Sequence, residues 1–244
     1  MTAGAVTAEV IGVLFFATLV RSAIGFGEAL IAVPILALIM PIRIAAPVAV
    51  LISITVAATV LVQDWRHVHL RSASRLILAT LIGTPLGLLL LTRIPTDLVK
   101  ACLGVAIVAF SSYSLIRRHR ARLQNDRSAW VFGLAAGVLG GAYGMNGPPL
   151  AVYGTLRGWS TQRFRATLQG YFLPASMMAM AGYWVAGLWS SEVTHYYLVS
   201  LPGVVVAMFC GQRITGRMNT STFLRCVNAG LIVIALVLLA QALA

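Results

Sequence analysis

Acidic residues are scarce in this chain. Its 244 residues include six Asp and Glu against 18 Lys and Arg, and charged side chains make up 10% of the total, where a soluble domain carries about a quarter. No HExxH, no GxSxG and no carboxylate cluster occurs, which argues against an enzyme. Cysteine is equally sparse. Cys102, Cys210 and Cys226 stand without a Cys-x-x-Cys partner, so neither a disulfide framework nor a zinc site is expected and the thiols read as buried. His67 and His69 share a polar loop with no acidic or cysteine partner at metal spacing; no metal and no cofactor is expected, and His195 receives no role. Met1 to Ala8 lack the basic stretch of a signal peptide, so no cleavage is expected.

What is abundant is apolar length. Hydrophobic residues form 59% of the chain and the mean hydropathy is +0.91, and runs of roughly 18 to 22 apolar residues recur, as about 30 Å of hydrocarbon requires. The expected fold class is an all-α polytopic membrane protein. The net charge of +12 is scattered through short loops rather than gathered on one face, so a lipid bilayer and not nucleic acid is the expected partner.

Taken in order, the first run, Val6 to Ile24, ends at Gly25-Phe26-Gly27, and a short piece from Glu28 to Met40 follows. At 1.5 Å per residue that piece is about 20 Å long, too short to cross. Full-length runs follow at Ile44 to Val62, Ser72 to Leu91 and Leu98 to Ile116. The pattern then restarts: Ala129 to Tyr143 ends in glycines, Pro148 to Leu156 is short, Arg157 to Arg165 is a basic interruption, and Ala166 to Leu188, Val193 to Gly211 and Thr222 to Leu243 are full-length. Landmarks repeat at a nearly constant offset, Arg43 with Arg163, Gly83 with Gly203 and Gly104 with Gly230. This spacing predicts a duplication, with residues 1–116 as the first repeat, 117–128 as a basic cytoplasmic linker and 129–244 as the second repeat.

If each break is a re-entrant hairpin or a pair of half helices followed by three crossings, 14 of the 18 basic residues fall on one side, which is then cytoplasmic. The odd number of reversals makes the two repeats inverted, with both termini outside. Inverted repeats with interrupted helices place a site near the midplane.

The two breaks are the candidate site. Gly25, Phe26, Gly27 and Glu28 in the first and Gly144, Met145, Asn146 and Gly147 in the second would aim two helix N-termini, with free N–H groups, at one place, an arrangement that suits an anion. The alternative is that these glycines only permit close helix packing. Arg21 and Glu28 are costly at this depth: either they pair and hold the hairpin, or Arg21 serves the anion and Glu28 carries protons, or Arg21 snorkels. Of the other polar residues within runs (Ser53, Thr55, Thr84, Gln169, Tyr171, Gln212, Asn228), Gln169 is the strongest candidate because its helix flanks the second hairpin.

The matched segments Gly25-Phe26-Gly27-Glu28 with Pro34, and Gly144-Met145-Asn146-Gly147 with Pro148-Pro149, resemble the duplicated glycine-rich motif of the TauE/SafE sulfite exporter family, also called the toluene-sulfonate uptake permeases. The likeness extends over essentially the full length. It implies a small secondary transporter of the bacterial inner membrane for sulfite, sulfonates or related small anions, with protons as a candidate coupling ion. Gly25, Gly27 and the start of the Glu28 helix, opposite Gly144, Asn146 and Gly147, would be the implied anion site. Glu28 stands where many members carry glycine or a small polar residue, so acceptance of a dianion would rest on Arg21 neutralising it. Export of sulfite by alternating access is the expected function. An anion channel, or an importer of another small carboxylate or sulfonate through the same pore, is the alternative, and a homodimer is left open.

Overall fold

A computed structural model describes residues 3–64, 70–116, 123, 125–214, 229 and 231–240. Most of the basic linker, the loop with His67 and His69, and Arg217, Arg225, Cys226, Asn228 and Gly230 lie outside the described residues. Among the described residues the chain is helical, without strands: α1 Ala3–Ile24, α2 Glu28–Ile39, α3 Ile42–Asp64, α4 Leu70–Arg93, α5 Thr96–Ile116, α6 Ala129–Tyr143, α7 Gly147–Leu156, α8 Thr161–Val185 and α9 Ser191–Ile214, then α10 Leu231–Ala240. The first helix of the second half is preceded by a 3₁₀ turn, Asp126–Ser128.

Five of these helices, α1, α3, α4, α5 and α9, are long and apolar enough to cross a membrane. The protein is a polytopic membrane protein. α8 is longer than any of them, at 25 residues, but it buries Thr167, Gln169 and Ser176, and those polar groups lower its hydropathy because it runs through the middle of the molecule. Cys102 is exposed on α5 and Cys210 is half-buried on α9, both as free thiols. The expectation of burial therefore fails for Cys102, whose helix carries Leu98 and Val105 on its exposed side; on such a face a thiol behaves as one more small apolar group.

The short helices fold back. α2 and α7 have 12 and 10 residues, about 18 and 15 Å at 1.5 Å per residue, well short of the hydrocarbon thickness. The Thr18 hydroxyl donates to Glu28 Oε1 at 3.4 Å, a contact that α2 could not make as a straight extension of α1. In the second half, Leu123 N–H donates to Leu156 O at 2.8 Å, Arg157 Nη1 donates to Leu123 O at 2.9 Å, and the Phe132 and Tyr153 rings lie 5.5 Å apart. The end of α7 thus returns to the level at which α6 begins.

The halves are interleaved. α4 of the first half packs on α6 of the second, α9 of the second packs on α1 of the first, and α3 crosses α8. Glycines make the α4–α6 seam: a Cβ at Gly133 would lie 2.6 Å from Leu76 O, at Gly137 2.7 Å from Thr80 O, and at Gly141 2.2 Å from Thr84 O. The paired residue numbers rise together, so the two helices are parallel. α1 and α9 are also parallel, with Gly203 beside Ile11 and Gly211 against Leu19 O. Small residues let backbones approach where lipid offers no hydrophobic drive for association.

This seam has a direct test. A Cβ at Gly87 would come within 2.1 Å of Val138 O, whereas one at Gly12 would meet nothing within 4 Å. Gly87→Ala should therefore destabilise the protein by at least about 1–3 kcal/mol through overpacking, while Gly12→Ala leaves it unchanged or slightly stabilised. Thermal unfolding in detergent reads the difference as a midpoint several degrees lower for Gly87→Ala only.

Candidate functional site

The tips of the two hairpins meet in the interior. α1 ends with Gly25 N–H donating to Arg21 O at 2.6 Å, and the first bond of α2 runs from Ile31 N–H to Gly27 O at 3.1 Å. Gly27 adopts φ +101°, a left-handed conformation that side chains with a Cβ resist. A Cβ there would meet nothing within 4 Å, so this glycine is not explained by packing. The N–H groups of Glu28, Ala29 and Leu30 precede the first intrahelical bond and have no acceptor within α2.

The second tip is built differently. Gly144, at φ +68°, caps α6 with its N–H on Gly140 O at 2.8 Å, the usual left-handed stop. Asn146, the counterpart of Gly27, is right-handed at φ −75° and its side chain makes no capping bond. Pro148 and Pro149 occupy the first turn of α7, where a missing N–H costs nothing.

Between the tips lies a small cavity lined by Arg21 from α1, Gly27 to Leu30, Ser53 from α3, Gly144 to Pro148, and Phe172 from α8. Arg21 organises it. The guanidinium is 3% exposed and its Nη1 donates to Glu28 Oε2 and to Ser53 Oγ at 2.7 Å. Nη2 donates to Gln169 Oε1 at 2.9 Å, the Phe172 ring lies 5.0 Å from its central carbon, and Nε has no partner among the described residues. Gln169 Nε2 donates in turn to Gly25 O at 2.9 Å, and Ser176 Oγ donates to Ser53 Oγ at 3.2 Å. Arg21 and Glu28 form a buried, hydrogen-bonded ion pair, and Arg21 does not snorkel.

Such a pair needs both partners and their neighbours, because an ion stripped of water is stable only when its charge and donors are matched. The surroundings remain electropositive, with a neutral pair and two helix N-termini. An anion fits that field. The profile of the family described as Sulfite exporter TauE/SafE matches residues 10–238, which include both hairpins and the cavity between them.

The chain belongs to the sulfite exporter TauE/SafE family. No curated protein matches it, and no solved structure does. Membership in TauE/SafE implies a membrane transporter of sulfur-containing anions, and this is a family of transporters rather than of enzymes.

Seven of the ten residues singled out in the sequence line this one cavity of the TauE/SafE chain: Arg21, Gly27, Glu28, Gly144, Met145, Asn146 and Gly147. The other three stand just behind it. Gly25 and Gln169 are joined by the bond given above, and Phe26 packs edge-on against Phe164 at 5.9 Å between centroids, with its Cδ2 3.7 Å from where a Gly147 Cβ would be. Ser53 and Phe172 were not among the ten. Ser53 was visible as a hydroxyl within an apolar run, whereas nothing in the sequence marks Phe172 among nine phenylalanines.

Proposed function

We propose that this TauE/SafE member is a secondary carrier that exports a small sulfur oxyanion, sulfite foremost, across the bacterial inner membrane by alternating access. The observation that carries the reading is the convergence of two helix N-termini, a buried arginine and Asn146 on one cavity. The substrate-binding residues are then Gly27, Glu28, Gly144, Met145, Asn146, Gly147 and Arg21, with Gly25, Phe26 and Gln169 holding them in place.

Alternating access rests on residues 1–116 and 129–244 acting as inverted repeats joined by the cytoplasmic linker 117–128. The fold-back at both breaks and the exchange of helices, α4 on α6 and α9 on α1, parallel in both cases, support that arrangement, since inverted repeats would exchange helices in such matching pairs. Both termini then lie in the periplasm. With the inside negative, a charge of minus one gains about 2.3 kcal/mol per 100 mV on leaving, which favours export.

Binding is tested without any gradient. A ligand that binds only the folded protein raises its stability by about 2.7 kcal/mol at a hundred times its Kd, so sulfite should raise the thermal midpoint of the purified protein and acetate should do so less. Asn146→Leu removes the carboxamide donors and should abolish the sulfite shift with the protein still inserted. A full shift in Asn146→Leu would remove the tip of α7 from the site.

A further inference from the structure

Among the described residues lining the cavity, Arg21 is the one cation and Glu28 the one carboxylate. α1 presents Arg21, with Thr18 on the Glu28 carboxylate; α3 presents Ser53, α7 Pro148 with Asn146 as its cap, and α8 Phe172, and Ser53, Asn146, Pro148 and Phe172 carry no titrating group. Glu28 is the first residue of α2, so its backbone N–H belongs to the anion-attracting tip while its side chain turns onto Arg21. The carboxylate therefore occupies the positive field that a substrate oxyanion needs.

We infer that the Glu28 carboxylate is a built-in stand-in for the substrate on Arg21, displaced as a neutral acid when the oxyanion binds, so that one proton travels with each anion in the same direction. This rests on the carrier reading given above. Two anions cannot share one guanidinium in a water-poor site, because like charges at contact distance disfavour the second ionisation. The exchange balances as Arg21⁺·Glu28⁻ plus anion plus H⁺ giving Arg21⁺·anion plus the Glu28 carboxylic acid, and the proton is taken up and released on the same side as the anion. When the anion leaves, the carboxylate pairs with Arg21 again. The empty carrier then returns without an uncompensated buried charge, which would otherwise oppose the return step. A dianion moves as net minus one under this scheme, so membrane potential still drives its exit, whereas a sulfonate moves as a neutral load.

The experiment uses the full chain in proteoliposomes with an internal pH dye and two probes that stay ionised across the pH range tested, labelled thiosulfate and labelled methanesulfonate. Wild type should move one proton with each anion. Glu28→Gln, which resembles the protonated acid permanently, should reduce counterflow less than net flux and make what counterflow remains independent of pH. Its net flux into anion-free vesicles should fall at least about tenfold, because the bare Arg21 strands a charge on the return step, and no proton signal should accompany the anion. A purely structural role for Glu28 would lower exchange and net flux together, and that result overturns the inference. Wild-type anion flux without proton movement overturns it too, whatever the variant does. Absence of counterflow with every sulfur oxyanion in wild type would instead bring down the carrier reading, and this inference with it.

Discussion

Replacing Arg21 with glutamine is expected to abolish transport and to destabilise the protein by about 3–5 kcal/mol, the usual consequence of leaving one member of a buried ion pair alone. The expectation follows from position. Arg21 holds Glu28, Ser53 and Gln169 at once, and these four residues come from α1, α2, α3 and α8, so its removal releases the tip of the first hairpin from both central helices. The paired variant Arg21→Gln with Glu28→Gln separates structure from function. It removes the stranded carboxylate and should recover most of the thermal stability in detergent, while sulfite counterflow stays absent because the cation of the site is gone. Counterflow in the double variant would show that Arg21 serves the fold alone.

Gly27→Val should silence transport by about a hundredfold or more, the scale on which a misplaced binding group acts, with insertion intact. Two effects combine there. At φ +101° any Cβ costs about 1–3 kcal/mol of backbone strain, and the branched side chain would stand in the cavity over the N–H groups of Ala29 and Leu30. Gly27→Ala isolates the strain, since its methyl meets nothing within 4 Å. Alanine should lower the thermal midpoint but retain measurable flux, whereas valine should retain almost none. Equal loss of flux in both variants would mean that backbone conformation, and not access to the helix terminus, is what the glycine provides.

The breaks were legible because glycine and proline interrupt apolar runs, and local chemistry sets where a helix ends. α6 spans Ala129–Tyr143, as its run predicted, and the first short helix, expected over Glu28 to Met40, runs over Glu28–Ile39. α8 shows where such reading stops. Arg163 and Arg165 made residues 157–165 look like a loop, yet the helix begins at Thr161, because the first turn of a helix can extend beyond the hydrocarbon and carry cations there.

Partners across the chain were less legible. Arg21 meets Gln169 at a separation of 148 residues, and hydropathy carries no information on which two helices touch. Arg21 and Glu28 were recognisable as costly residues that had to find each other. That Ser53 and Phe172 would complete their surroundings depended on α3 crossing α8, a feature of packing rather than of pattern. The glycines of α4 and α6 were likewise visible singly, but the seam they form across the two halves was not.

The most direct measurement is counterflow of labelled sulfite in proteoliposomes holding unlabelled sulfite, with thiosulfate, sulfoacetate and acetate as competitors. The account predicts saturable uptake that overshoots equilibrium, is competed by the sulfur oxyanions more than by acetate, and disappears in Asn146→Leu. Uptake that rises linearly with concentration and shows no overshoot would mean a channel, and no uptake in any gradient would contradict the assignment of this cavity to sulfur-anion transport.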